Sequence, residues 1–295
     1  MNRISDRILV GLTWLSGIGM CMVVTGLLLF LIFHGIRQIT PALFFGDTPW
    51  LKAITGQSPV FDGIWPAVTG TVLLVFLSSA IAVPVGVASG IYLAAYASSR
   101  QRAFWGSMVD LLSGTPSIVM GLFGFTMILF LRKTVNPTAQ TGLFLAAVCI
   151  ALLILPYLIR TSQAAIAGIS THLRLIGPAA GFSKWQNIRH VLLPLASRGI
   201  LSGIILAVGR ASEDTAVILL TGVVAQTGIP RNIWDKFEAL PFRIYYLAAE
   251  HRNATELEQG FAVALVLLFL TGFLFAIAFL LNRYAENRWR IRRYQ

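Results

Sequence analysis

Three charged residues stand together in an otherwise apolar stretch: Arg210, Glu213 and Asp214, within Gly209-Arg210-Ala211-Ser212-Glu213-Asp214-Thr215-Ala216. A charge at the centre of a membrane helix costs about 2.5–3.5 kcal/mol unless it is paired or faces a polar path. If the stretch is one helix, Arg210 and Asp214 lie four apart on one face and can pair, with Glu213 as a second partner. Two chemistries fit. One is a structural clamp. The other is an anion path, because a guanidinium fork binds phosphate-type oxygens in a fixed geometry.

A second group is basic. Residues 170–198 carry Arg174, Lys184, Arg189 and Arg198 with no acid. A mere connection between two antiparallel helices is usually a few residues long. Here Trp185, Ile188, Leu192 and Leu193 recur at helical spacing, opposite Lys184, Gln186, Asn187 and Arg189. The pattern predicts an amphipathic helix with a turn at Gly181. Such a helix fits a groove on a soluble partner, and the same composition suits a surface of anionic lipid.

The elements that position these groups are membrane helices. Of 295 residues, 56% are hydrophobic and only 12% charged, against about 25% charged in an ordinary soluble domain. A net charge of +11 would suggest nucleic acid in a soluble chain. Here the basic residues collect in loops between apolar runs, as orientation signals do, so no nucleic-acid partner is expected. Six runs are long enough to span, at about 8–33, 66–96, 107–131, 142–169, 200–222 and 260–282. The first is too long for a cleaved signal and is expected to be retained.

The basic segments at the N-terminus (Arg3, Arg7), near 97–106, at 170–198 and at the C-terminus (Arg283, Arg288, Arg290, Arg292, Arg293) fall on one side of a six-span chain. Both termini are therefore expected in the cytoplasm. One transmembrane domain, 1–295, is expected. Pro84 with Gly70, Gly86 and Gly90 predicts a kink or close packing in the second span. The last external loop is long and aromatic, which suggests a re-entrant or amphipathic segment. Cys21 and Cys149 read as apolar thiols, and no metal-ligand spacing or nucleophile turn occurs.

The segment after the fourth span resembles the coupling loop of ABC importer permeases: Glu-Ala-Ala, three residues, Gly, nine residues, then Ile-x-Leu-Pro. Gly181 is followed after nine residues by Val191-Leu192-Leu193-Pro194. Leu175-Ile176-Gly177 replace Glu-Ala-Ala, and Pro178 follows, so the first helix is expected to be shortened or reshaped. Three further stretches are similar to the phosphate permease family, in its A-type (PstA-like) branch. They are Pro84–Tyr96, Asp110–Gly121 and Gly209–Ala216. The family pattern has Glu where Asp214 stands and commonly Gly where Glu213 stands. Arg160-Thr161 also matches a pair in the family, beside the reading of Arg160 as a cytoplasmic anchor. Asp110 is expected to cap a helix or pair with a basic neighbour.

The resemblance implies an all-α, polytopic, type I ABC importer permease (MetI-like) in the cell membrane, without catalytic residues. Arg210, Asp214, Glu213, Arg160 and Thr161 would line the substrate path. The two acids beside one arginine, where this sequence departs from the family pattern, further suggest a switchable pair that releases Arg210 as the gate opens. Gly181, Lys184, Trp185, Arg189, Leu193 and Pro194 would meet the ATPase. The implied partners are a second homologous permease, two cytoplasmic ATP-binding subunits and an external phosphate-binding protein. No P-loop occurs, so ATP and Mg are expected in the partner ATPase. A permease for molybdate, tungstate or sulfate, or a non-ABC channel or scaffold, is the alternative.

Overall fold

The computed structural model describes residues 3–56, 58–135 and 137–291, with side chains for 9–56, 58–135 and 137–280. The terminal charges Arg3, Asp6, Arg7, Arg283, Glu286, Arg288, Arg290, Arg292 and Arg293 lie outside the described side chains. The helices are α1 (Arg3–Gly35), α2 (Pro41–Phe45), α3 (Trp50–Ile54), α4 (Trp65–Ala95), α5 (Ser99–Ser113), α6 (Ser117–Thr134) and α7 (Leu143–Ala167). They continue with α8 (Thr171–Ala179), α9 (Lys184–Asn187), α10 (Leu193–Glu213), α11 (Ala216–Thr221), α12 (Leu240–Glu250) and α13 (Ala254–Ile291). Among the described residues, six segments are long and apolar enough to cross a membrane: Leu9–Gln38, Trp65–Ala95, Ser117–Thr134, Leu143–Ala167, Lys184–Glu213 and Ala254–Leu280.

Two spans differ from the sequence expectation. The third, expected at 107–131, is interrupted between α5 and α6 at Gly114-Thr115-Pro116. Proline disfavours helical backbone in the residue before it and is well placed at a new helix start. The fifth, expected at 200–222, starts at Lys184 and stops at Glu213. Its foot therefore overlaps the basic segment 170–198. A wider π turn over Ile188–Leu192 joins α9 to α10, ahead of Pro194, whose ring would crowd the carbonyl four residues back in a regular helix.

Helix α7 is the centre of the bundle. Cys149, Ile150, Ile154 and Leu158 on it are fully enclosed, in one cluster with Leu74, Ala82, Ala207, Val217 and Phe237. Glycines let its neighbours come close, as expected where lipid supplies no hydrophobic drive between helices. A Cβ at Gly86 would lie 2.6 Å from Leu158 Cβ, and one at Gly90 2.6 Å from Ser162 Cβ. These two positions seat α4 directly on α7. By contrast, among the described residues α1 is packed closely near Gly35, which rests on the backbone of Phe261 and Ala262, whereas Gly11, Gly17, Gly19 and Gly26 have open space around them.

The bundle has two dissimilar ends. At one, Leu143 N–H donates to Asp235 O and Phe144 N–H to Ile233 O, and Leu240 N–H donates to Thr71 Oγ1. The long aromatic loop is folded there. Phe237 is fully buried, while α12 keeps Leu240 and Leu247 inside and Tyr245 and Tyr246 exposed. At the other end, Ile166, Ile188, Leu192, Ala196 and Ile200 form a second core beneath α8 and α9.

Candidate functional site

The expected pair between Arg210 and Asp214 is not formed. Helix α10 ends at Glu213, and Asp214 adopts extended backbone (φ −73°, ψ 116°), so the spacing of four no longer places both residues on one helical face. The Asp214 carboxylate instead accepts from Val217 N–H at 2.9 Å, satisfying one of the open donors at the start of α11. Glu213 and Arg210 are both exposed, and Arg210 is engaged by neither acid among the described residues.

The two helix breaks are neighbours. Gly121 on α6 faces the Ala216 carbonyl and Val217, where a Cβ would sit 3.0–3.2 Å from backbone atoms, and Gly124 faces Thr221 and Cys149. Helices α6 and α11 thus run side by side, α11 starting about one turn, roughly 6 Å, along α6. Arg210 lies one turn before Asp214, about 6 Å along the axis. An unpaired guanidinium is therefore held beside a zone of interrupted helices. A lipid-facing arginine at this depth would be unfavourable, so this face fits a polar path or a covering subunit.

Arg160 and Thr161 are engaged otherwise. Arg160 Nε donates to Asp110 Oδ1 at 2.9 Å, Nη1 to Gln163 Oε1 at 3.0 Å and Nη2 to the Gly106 carbonyl at 2.8 Å. The fork expected to face substrate is filled by protein groups, and Asp110 takes the pairing role foreseen for it. Thr161 Oγ1 donates to the Tyr157 carbonyl of its own helix at 2.9 Å, and its side chain fills the notch left by Gly203 on α10.

At the other site, α8 and α9 form a helix–turn–helix corner. The chain turns at Gly181 (φ +78°), a left-handed conformation that favours glycine. A capping box between Ser183 and Gln186 starts α9. Pro178 lies in the last turn of α8. It lacks the N–H that would bond the Arg174 carbonyl, and Asn187 Nδ2 takes that carbonyl at 3.2 Å. Gly177 makes room, since any Cβ there would strike the Asn187 side chain. Arg174 itself donates to Ile166 O at 2.6 Å and Ile169 O at 3.0 Å, satisfying the end of α7. Residue types and spacing do not by themselves mark Arg174 and Asn187 as a node; the missing proline donor at Pro178 is the available signal.

The outward face of this corner is apolar as well as basic. Leu175, Ile176, Phe182 and Trp185 are 41–61% exposed, and Lys184 and Arg189 flank them. Ile188 and Leu192 turn inward, so the expected apolar stripe divides into a packed half and an open Trp185. Leu193 and Pro194 are half-buried at the foot of α10.

Residues 86–291 match the family described as the binding-protein-dependent transport system inner membrane component. The chain belongs to this family. It is a multi-pass membrane permease subunit. It is 30% identical over 249 residues to the phosphate transport system permease protein PstA of Haemophilus influenzae, covering 84% of this chain and 83% of that protein. It is 28% identical over 248 residues to a probable ABC transporter permease protein, YqgI, of Bacillus subtilis, covering 83% and 80%. Its fold matches a chain of a bacterial alginate ABC transporter solved in complex with an alginate pentasaccharide-bound periplasmic protein, at a TM-score of 0.66 and 15% identity over 96% of each chain. That likeness in fold takes in most of the first 85 residues, which the family match does not reach.

Proposed function

We propose that this chain is one membrane half of an ATP-driven importer of inorganic phosphate. The observation that carries the reading is Arg210, exposed and unpaired beside two interrupted helices, in a chain similar to phosphate permeases over most of its length. A guanidinium gives an oxyanion paired donors and positive charge. A second, homologous permease would cover the Arg210 face and complete the path.

Two cytoplasmic ATPase subunits bind ATP and Mg and press on the α8–α9 corner, where Leu175, Ile176, Phe182 and Trp185 offer an apolar contact ringed by Lys184 and Arg189. An external phosphate-binding protein delivers cargo at the α12 end. Both chain termini then lie in the cytoplasm, in accord with the basic loops. The chain contributes no catalytic group of its own.

The test is uptake by the complex of this chain with its permease, ATPase and binding-protein partners in proteoliposomes. ATP-dependent phosphate uptake is expected, undiminished by excess molybdate, tungstate or sulfate. Preferential uptake of one of those anions overturns the cargo, and uptake that needs no ATPase overturns the class.

A further inference from the structure

Helix α5 is attached to the bundle in an unusual way. Of its residues only Gly106 is buried. Val109 and Leu112 make partial apolar contacts, whereas Phe104, Trp105, Met108 and Leu111 on the remaining surface are 43–69% exposed. Its first turn is pinned by Arg102, which donates to Leu93 O at 2.8 Å and to Ala94 O and Ala97 O at 3.3 Å. Its last turn ends at Gly114-Thr115-Pro116, where the chain leaves the helix. Between these points the polar hold is Arg160 of α7, lying over Gly106 and reaching Asp110.

Gly106 leaves room for the guanidinium to lie against the α5 backbone. A Cβ at this position would stand 3.3 Å from Arg160 Nη2. The attachment therefore joins two polar contacts to a modest apolar patch. Charged hydrogen bonds of this kind exchange readily where water reaches them, and Asp110 is well exposed. Apolar packing at the bundle centre offers no comparable release.

We propose that Asp110 is a positioning residue for transport: its pair with Arg160 latches α5 to α7, and release lets α5 swing about its pinned first turn and carry the 114–116 break with it. The break adjoins α6, which lies against α11 just beyond Arg210. Movement of α5 is thereby passed to the part of the path where the unpaired arginine stands. This rests on reading the chain as a permease, but the latch itself can be measured without transport.

The experiment places spin labels at 107 on α5 and 164 on α7 in the full chain, with Cys21→Ala and Cys149→Ala, in lipid nanodiscs. Asp110→Asn is expected to lengthen and broaden the distance between the labels. The charge swap Asp110→Arg with Arg160→Asp is expected to restore it. In the reconstituted transporter, Asp110→Asn should lower uptake about tenfold, within the range for groups sharing one network, and the swap should recover most of that loss. Arg160→Lys, which keeps charge without the fork, should fall between.

An unchanged distance in Asp110→Asn overturns the latch. So does a swap that restores distance but not uptake, since Arg160 would then act on cargo directly. Failure of every variant to insert would make the pair a folding contact, which also overturns the proposal. Absence of phosphate uptake by the unaltered complex instead overturns the permease reading, while the label distance still decides the latch.

Discussion

Asp214 Oδ1 accepts the backbone N–H of Val217 at 2.9 Å, at the point where α10 stops and α11 starts. The acid set one turn after Arg210 thus serves as a helix cap. Asparagine caps as well as aspartate, whereas alanine in place of either costs about 1 kcal/mol. Asp214→Asn should therefore unfold at nearly the unaltered temperature in a thermal melt, and Asp214→Ala about 2 °C lower. Equal losses in the two variants would point to the carboxylate charge and so to a pair with Arg210.

Glu238 is buried beside Arg243, with Arg243 Nη1 3.3 Å from Oε1. Burial raises its pKa above 4.5, and the Arg243 charge only partly offsets this. The folded chain thus holds the proton more tightly than the unfolded chain. The stability Glu238 contributes is complete below 4.5 and is lost as pH rises through the raised value. Glu238→Gln removes this titration, so its stability relative to the unaltered protein should increase with pH across that window. Denaturant unfolding at a series of pH values measures it; a difference that is flat or falls with pH contradicts the assignment.

Arg174 joins three elements, through its side chain to the end of α7 and through its carbonyl to Asn187. Hydrogen bonds from a charged donor contribute about 1.5–3 kcal/mol. Arg174→Gln should accordingly speed amide exchange in 166–177 by at least about tenfold, while the core of α7 around Ile150 stays protected. Hydrogen-exchange mass spectrometry reads both regions. Unchanged exchange at the corner would show that Asn187 and Gly177 hold it without Arg174.

The number of spans, the crowded glycines of α4 and the corner at Gly181 follow from patterns that a sequence displays directly: apolar length, small residues at helical spacing, and a left-handed turn. The helix breaks were less visible because apolar residues continue through them. Val217-Ile218-Leu219-Leu220 extends the hydrophobic run past Asp214, so the stretch reads as one continuous helix with Arg210 and Asp214 on one face. Asp214-Thr215 and Thr115-Pro116-Ser117 are good helix starts, but local preference competes with length when spans are assigned. Arg160 shows a different limit. The family resemblance put it on the substrate path and its position suggested a cytoplasmic anchor, yet its partners Gly106 and Asp110 lie 54 and 50 residues away, a distance that only the packing of α5 on α7 closes.

Arg210 remains the residue on which the transport account depends. The most direct measurement is ATP-driven phosphate uptake by the reconstituted complex carrying Arg210→Gln, with membrane insertion and co-purification of the ATPase followed in parallel. Loss of uptake with insertion and assembly intact is the expected result. Full uptake by this variant would contradict the account.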